Sequence, residues 1–399
     1  MKRYIEYFFI LLAFIFALVM SFLVWEKLRD IQQTTFIDLA KSFLRGKFYL
    51  LEPVRYSSWQ DTAFFNGKYY VYFGPTLGIL FIPLAALGFF NFPQQFLALV
   101  FGFINFLFLF KIARLLGVKK RDAFWLTFAF IFGSIYLLLS LVNISSYLTQ
   151  IAAFTFINLA LFEYLNKKRW LLIGTIFALS GMTRLTSYAT IPFFLIEWWR
   201  TDRKIRSFFK FILPVVFSLL ILALYNSLRF GSLLETGYRY NTTFPPQVRE
   251  AIENYGFFSL RHIPTNIYFL LFKGPEPVRI SETNYLLKYP FLRANEWGMG
   301  IFFTSPFLFY IFLVDFKKYK IAFSSLISCI IGILPALLYG GVGVWQFGYR
   351  YALEIYPFLF LILSLYFKEK MPIFAKIIIF YSVFFDAFLM GSIWGVYPF

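Results

Sequence analysis

The side chains that could do chemistry in this 399-residue chain lie in a few short, aromatic segments. One of them, WQDTAFFNGKYYVYFGP (59–75), places the acid Asp61 near the cation Lys68, the ring of Tyr70 and a Gly-Pro pair. A carboxylate can act as a general base, and a Lys or Arg side chain can hold a phosphate. The segment therefore predicts a site in which a carboxylate and cations act together on one substrate.

Arg184 lies near the middle of a long apolar stretch, residues 170–198. A charge at that depth of a bilayer costs about 2.5–3.5 kcal/mol on insertion scales. The guanidinium could reach along a helix to water, or it could face an anionic ligand at a break in the helix. We favour the anionic ligand, because Arg keeps its charge and its geometry matches phosphate oxygens.

Two further segments carry charges at the ends of apolar stretches. YNSLRFGSLLETGYRY (225–240) contains Glu235 and Arg239, and WQFGYRYALEIYPF (345–358) contains Arg350 and Glu354. Arg350 and Glu354 are four residues apart, so they could form an ion pair within one helix. Alternatively, these residues contact a phosphate or a sugar, and we include Arg239, Arg350 and Glu235 among the candidate binding residues.

Several kinds of catalytic centre are excluded by residue counts. The chain has one histidine, His262, and one cysteine, Cys329, so it has no His triad and no disulfide. No glycine-rich loop is followed by the Lys-Ser/Thr pair of a nucleotide-binding P-loop. We expect no metal site and no cofactor, although the sequence leaves a need for a divalent ion open.

The elements that must position these residues are membrane helices. Hydrophobic residues make up 60% of the chain and charged residues only 15%, which excludes a soluble domain of this length. The sequence predicts an all-α polytopic membrane protein, residues 1–399 as one integral membrane domain, with about eleven membrane segments. Nine of these are predicted as spans near 7–25, 94–112, 123–141, 147–166, 209–228, 297–314, 321–340, 350–367 and 373–392.

The basic residues predict the orientation of the chain. The net charge is +18, and clusters such as KIARLLGVKKRD (111–122), NKKR (166–169) and DFKKYK (315–320) fall between apolar stretches. Because Lys and Arg accumulate in cytoplasmic loops, we expect a cell-membrane protein with a cytoplasmic N-terminus and no nucleic-acid partner. Residues 26–71 and 229–296 are then the two long external loops.

This orientation requires two interrupted segments. Residues 72–91 must stay in the external leaflet, and residues 170–198 must enter and leave on the cytoplasmic side, with breaks at Gly74-Pro75 and Gly181–Arg184. Amphipathic surface helices are predicted at 36–50 and at 256–277, the second with Arg261, His262 and Lys273 on its polar edge.

Four motifs carry a resemblance to a known family. The segments DTAFFNGKYYVYFGP (61–75), MTRLTS (182–187) and RFGSLLETGYRY (229–240), with QFGYRY (346–351) after them, follow a first span and an external surface helix. This order resembles the polytopic C-superfamily glycosyltransferases, near the protein O-mannosyltransferase and aminoarabinose transferase families. The likeness covers most of the chain, and its motifs do not identify a substrate.

The resemblance implies a function and some residue roles. Members transfer a sugar from a polyprenyl-phosphate carrier on the external face, so Lys68 and Arg184 correspond to phosphate-contacting positions. Where the family has its Asp-Glu pair, this chain has Gln32-Gln33. Asp61 inside the motif is then our first candidate for the catalytic base, with Asp30 second and Asp38 regarded as part of the exposed face of its helix.

The sequence therefore predicts a membrane glycosyltransferase. Its partners would be a polyprenyl-phosphate-linked sugar, an acceptor that is a lipid, a polysaccharide or a protein, and the lipid bilayer. A transporter or lipid flippase with an intramembrane charged site is the alternative, since broken helices also occur in transporters. We expect such a protein to repeat its breaks in both halves, and the sequence shows none in the second half. A catalytically silent scaffold is the third possibility.

Overall fold

The computed structural model describes residues 2–28, 33–51, 61–241 and 243–397. The fold is 68% helical and 6% strand. The α-helices are α1 (Lys2–Leu28), α2 (Thr35–Leu44), α3 (Thr76–Ala86), α4 (Gln95–Leu115), α5 (Lys120–Phe132), α6 (Tyr136–Leu141), α7 (Ser145–Asn166), α8 (Trp170–Thr183), α9 (Pro192–Thr201), α10 (Ile205–Phe230), α11 (Pro246–Tyr255), α12 (Ile263–Ile267), α13 (Ile301–Thr304), α14 (Lys320–Leu338), α15 (Tyr356–Tyr366) and α16 (Ile373–Ile393).

Shorter elements fill the connections. The 3-10 helices are Leu185–Thr190, Tyr238–Tyr240, Leu260–His262, Pro306–Leu313 and Arg350–Ile355, and Tyr268–Phe272 form a π-helical turn. The strands are β1 (Thr62–Phe65), β2 (Lys68–Val71), β3 (Glu276–Arg279) and β4 (Leu287–Arg293). They form two antiparallel hairpins, β1–β2 and β3–β4, so the all-α prediction is right for the membrane segments and wrong for the connecting loops.

Six of the described helices are long and apolar enough to cross a membrane, as expected of a multi-pass membrane protein. They are α1 (from Phe8 onwards), α4, α7, α10, α14 and α16. An α-helix needs about 20 apolar residues to cross the hydrocarbon core. These six helices coincide with six of the predicted spans.

The other three predicted spans are interrupted, so the expected count of about eleven is not reached by continuous helices. Stretch 123–141 divides into α5 and α6, 297–314 into α13 and a 3-10 helix, and 350–367 into a 3-10 helix and α15. Two of these breaks support each other. The hydroxyl of Ser305, before Pro306, donates to the carbonyl of Gly133 at 3.0 Å, which satisfies a backbone group that the break leaves unpaired.

The stretch 170–198 is broken where the sequence predicts. Helix α8 ends at Thr183, Arg184 is extended, and a 3-10 helix leads into α9. The Trp170 indole, at the start of α8, donates to the Asp202 carboxylate after α9 at 2.7 Å. The two short helices therefore begin and end at the same end of the molecule, with Arg184 at the apex between them.

Helix α3 likewise does not cross. It has only 11 residues. The Gly74 backbone lies against that of Met182 at the apex of the α8–α9 hairpin, and a Cβ on Gly74 would meet the Met182 carbonyl oxygen at 1.8 Å. Beyond α3, the Gln94 amide donates to the Ser145 hydroxyl at the start of α7 at 3.0 Å. Both ends of this stretch are thus on one side of the molecule.

Both long loops contain a helix with one buried face. The first contains the amphipathic helix α2, which buries Phe36, Leu39 and Ala40. In the second, helical turns run without a gap from Leu260 to Phe272, within the predicted stretch 256–277, and bury residues at four-residue spacing: His262, Asn266 and Leu270. His262 is buried and its Nε2 lies 2.9 Å from the Gly256 carbonyl oxygen, so it is not on a polar edge.

The loops at the two ends of α7 have opposite character. At its C-terminal end the basic loops meet: the Lys318 amine is 4.0 Å from a Glu369 carboxylate oxygen, and a Cβ on Gly117 would touch the Lys368 chain. At its N-terminal end the loops carry the charged motifs of the sequence. The predicted orientation requires this separation of basic loops from motifs.

Candidate functional site

A cavity of about 490 Å³ opens at the N-terminal end of α7. Its wall comes from the segment before α3, the apex of the α8–α9 hairpin, the C-terminal part of α10, and the loops around residues 235–245 and 341–354. Its charged residues are Asp61, Arg184, Arg229, Glu235, Arg239, Arg350 and Glu354. Aromatic rings form much of the remaining wall, among them Tyr72, Tyr147, Tyr238, Tyr339, Trp345 and Tyr351.

The floor of the cavity lies within the depth of a bilayer. Helix α8 has 14 residues, which at 1.5 Å per residue is about 21 Å from the basic end to the apex. The hydrocarbon core is about 30 Å thick. Helix α10 begins at the same end and has 26 residues, about 39 Å, so its Arg229 lies above the apex. The cavity therefore extends from the loops down to Arg184.

Asp61 is positioned by the β1–β2 hairpin. The turn is Asn66-Gly67, both left-handed, which fits the right-handed twist of a two-residue hairpin. Thr62 pairs with Val71, so Asp61 stands opposite Tyr72, and the Tyr72 hydroxyl donates to Asp61 Oδ1 at 2.7 Å. Burial, with Asp61 adding to it, raises the pKa of Tyr72 well above its ordinary value. The phenol thus stays a donor to the carboxylate.

The second oxygen of Asp61 binds the end of a helix. Asp61 Oδ2 accepts a hydrogen bond from the Ser146 backbone amide at 2.9 Å, in the first turn of α7. The preceding amide, that of Ser145, donates to Gln33 Oε1 at 2.6 Å. Helix N-termini have unpaired amides and a positive end of the helix dipole, and both stabilise a carboxylate. Gln33 thus binds the amide next to the one that Asp61 binds.

Arg184 is paired inside the protein. Its guanidinium forms a salt bridge with Glu354, whose Oε1 also accepts a hydrogen bond from the Thr186 hydroxyl at 2.8 Å. Both charged side chains are largely buried. The predicted ion pair between Arg350 and Glu354 is therefore not formed, because Glu354 binds Arg184 from the hairpin apex.

Arg350 is left without a carboxylate. Its side chain is 8% exposed, and its guanidinium lies over the rings of Tyr147 at 5.2 Å and Tyr351 at 4.8 Å. Among the described residues, the Arg350 side chain makes one hydrogen bond, a long one of 3.4 Å to Gln150 Oε1, and its Nε has no partner. Within the described part of the chain, a buried cation thus faces the cavity with no countercharge, which is the character of an anion site.

Arg239 and Arg229 belong to the part of the cavity wall that is nearest the loops. Arg239 Nε lies 2.6 Å from Glu235 Oε2, and its side chain is well exposed. Arg229 is buried and donates to the Val71 carbonyl and to Asn226 Oδ1. Arg229 therefore ties α10 to strand β2, while Arg239 and Glu235 form an accessible ion pair at the wall.

One aromatic residue shows how close these charges are to each other. Tyr238 stacks on Tyr72, with ring centroids 4.3 Å apart. Burial raises the pKa of Tyr238, the charge of Arg184 opposes the increase, and the charges of Asp61 and Glu354 add to it. The acid of the hairpin and the ion pair of the apex thus act on one phenol.

Two predicted site residues do not reach the cavity, which corrects the sequence interpretation. Lys68 is exposed in β2 with its amine over the Tyr49 ring at 4.4 Å, and Tyr70 packs against Phe230. Lys68 is next to the turn of the hairpin, at the end away from Asp61, and Phe230 covers Tyr70, so neither side chain lines the cavity. Asp30 lies outside the described residues. Asp38 is on α2 and forms a salt bridge with Lys41 at 2.8 Å.

Sequence reasoning missed several lining residues. Tyr72, Ser146, Tyr147 and Tyr238 all line the cavity. An Asn-Gly pair such as Asn66-Gly67 predicts a two-residue hairpin turn. That turn fixes the register of the hairpin, in which Asp61 is opposite Tyr72. Ser146 and Tyr147 gave no signal, because their role depends on where α7 begins in space.

The arrangement can bind an anion next to a carboxylate. Four arginines and three acids line the cavity. Glu354 and Glu235 neutralise Arg184 and Arg239, and Arg229 is bound to the Val71 carbonyl and Asn226. The positive groups that remain beside Ser146 and Tyr147, where Asp61 binds, are Arg350 and the N-terminus of α7. No three Asp, Glu, His or Cys side chains of the described residues come together as a metal site.

Comparison of the chain with protein-family models, with curated proteins and with solved structures finds no match.

Proposed function

We propose that the protein is a membrane glycosyltransferase that moves a sugar from a polyprenyl-phosphate carrier to an acceptor hydroxyl at the external face of the membrane. The observation that carries the proposal is the placement of Asp61 and Arg350 at the same helix end. Asp61 binds the Ser146 amide, and Arg350 lies over the ring of the next residue, Tyr147. A base and an anion site are thus adjacent in one cavity.

The reaction assigns a role to each group. Asp61 accepts the proton of the acceptor hydroxyl while that oxygen forms a bond to the anomeric carbon of the donor. The bond from the anomeric carbon to the phosphate oxygen breaks, and its electron pair stays on the phosphate. Arg350 stabilises the phosphate that leaves, which needs no proton because it is already a stable anion. Positioned general bases of this kind contribute about 10²–10⁴-fold to a rate.

The shape of the cavity suits an amphipathic donor. Its lower wall contains apolar atoms of Leu222, Pro335 and Ala336, and its upper wall contains the tyrosines and charged residues. An isoprenoid chain can therefore lie along the apolar lower wall while its phosphate stays at Arg350.

Asp61→Asn tests the proposal, with Asp38→Asn as the matched control. Both changes remove one carboxylate from the same loop, but Asp38 pairs with Lys41 outside the cavity. We expect Asp61→Asn to lower transfer of labelled sugar from a polyprenyl-phosphate donor about 10²-fold or more, and Asp38→Asn to stay within about threefold of wild type. If purified Asp61→Asn also stays within about threefold, Asp61 is not the base.

A transporter or lipid flippase is the second candidate, and one observation favours it. The second half of the chain also contains broken segments, 301–313 and 350–366, contrary to the sequence interpretation. Half-helices around a charged cavity are the usual construction of transporter sites. Counterflow of a polyprenyl-phosphate sugar in proteoliposomes, retained in Asp61→Asn, would support transport over sugar transfer.

A further inference from the structure

A second, smaller recess lies at the opposite, basic end of the molecule, between the C-terminal ends of α7 and α9 and the start of α14. Its volume is about 360 Å³, and its cationic lining residues are Lys168, Arg200, Lys318 and Lys320. Tyr164 and Tyr319 form part of the wall. No role in sugar transfer is assigned to this recess, since α7 separates it from the cavity of Asp61.

The charges of the recess are not balanced. Arg200 is neutralised by Glu197, which it contacts at 2.5 and 3.0 Å. The Lys318 amine lies 4.0 Å from a carboxylate oxygen of the exposed Glu369 and over the ring of Tyr319 at 5.1 Å. Lys168 lies over the ring of Tyr164 at 5.0 Å, and neither Lys168 nor Lys320 pairs with a carboxylate in the described part of the chain. Two to three positive charges are thus available to an anion.

The recess also borders the surface that faces lipid tails. Phe323 is one turn below Lys320 on the same face of α14, and it is 49% exposed. Phe312 and Leu313, which lead into this end of the molecule, are 69% and 61% exposed. Ammonium groups therefore stand directly above an apolar surface, an arrangement that matches a phospholipid headgroup and its acyl chains.

We propose that this recess binds the headgroup phosphate of an anionic phospholipid from the leaflet at the basic end. Lys168 belongs to the loop after α7, Arg200 to α9, and Lys320 to α14, so the bound headgroup joins three elements. Helix α9 is one arm of the hairpin that carries Arg184 at its apex. Lipid binding here stabilises the α8–α9 hairpin at its basic end, opposite the Arg184 apex, whichever reaction the cavity performs.

The test compares thermal unfolding of the detergent-purified protein with added phosphatidylglycerol, phosphatidylcholine or inorganic phosphate. We expect phosphatidylglycerol to raise the unfolding midpoint and the other two to leave it nearly unchanged, because only the anionic lipid uses both the cations and the apolar surface. In Lys168→Gln/Lys320→Gln, we expect at least half of this increase to be lost.

Lys119→Gln/Lys120→Gln is the matched control. It removes two exposed charges from the same end of the molecule, at the start of α5 and outside the recess. We expect this control to keep the full increase in midpoint. A full increase in the recess variant, or an equal increase with phosphatidylcholine or with phosphate alone, would overturn the proposal. Should the double variant fold poorly without lipid, the single variants Lys168→Gln and Lys320→Gln are each expected to lose part of the increase.

Discussion

At Arg350, burial occurs together with the lack, among the described residues, of both a carboxylate partner and a short side-chain hydrogen bond, and that combination distinguishes it from the other arginines of the cavity. Arg184 and Arg239 have acids beside them, and Arg229 is held by the Val71 carbonyl and by Asn226. A buried charge without a partner is costly, so its retention is best explained by a ligand that supplies the missing charge. The residue types in the sequence could not show which arginine would be left unpaired.

Replacing Arg350 tests this explanation. Hydrogen bonds to charged groups contribute about 1.5–3 kcal/mol, so Arg350→Gln is expected to raise the KM for a polyprenyl-phosphate donor about tenfold or more. Lys68→Gln is the control, since Lys68 is exposed and outside the cavity, and we expect less than a threefold change. Steady-state transfer kinetics measure both. Equal behaviour of the two variants would mean that Arg350 holds no anion.

At the scale of elements, the site depends on short helices that end inside the molecule, beside the cavity. The hairpin of α8 and α9 brings Arg184 to the cavity floor, and α3 packs against its apex. This contact requires Gly74, because any side chain there would run into the Met182 backbone. The sequence located both breaks, since Gly-Pro at 74–75 and the charge of Arg184 are local signals. It did not show that the two breaks touch.

Gly74→Ala should therefore disturb the site more than other glycine changes. Its Cβ would lie 1.8 Å from the Met182 carbonyl oxygen, so α3 and the apex must separate. Overpacking of this kind typically costs about 1–3 kcal/mol, and we expect a lower unfolding midpoint together with reduced sugar transfer. Gly102→Ala in α4 is the control, because its nearest contact is 3.9 Å away. A wild-type midpoint for Gly74→Ala would contradict the close contact.

For the whole molecule, the basic loops and the motif-bearing loops lie at opposite ends of α7. The sequence predicted this separation from Lys and Arg content alone, because topology follows basic residues in short loops. A cysteine-labelling experiment can assign the sides. The single native cysteine, Cys329, is buried, so an introduced cysteine gives the only strong signal.

Glu282→Cys and Lys317→Cys probe the two ends with a membrane-impermeant maleimide. Both positions are exposed. In intact cells we expect Glu282→Cys to be labelled and Lys317→Cys to react only after permeabilisation, because the first lies in the long loop 229–296 and the second in a basic loop. The reverse pattern would place the cavity on the cytoplasmic side and remove the basis for an external transferase.

The sequence by itself determined the membrane class, the clustering of basic loops, the two re-entrant breaks and most charged residues of the cavity. These features follow from local composition, from the cost of a charge in lipid and from the stiffness of proline, none of which needs a partner in space. Only the tertiary structure decided the pairings: Glu354 with Arg184 instead of Arg350, Asp61 with the Ser146 amide, and Lys68 away from the site. Those pairings join residues up to 170 positions apart, and a contact of that kind is fixed by how helices pack.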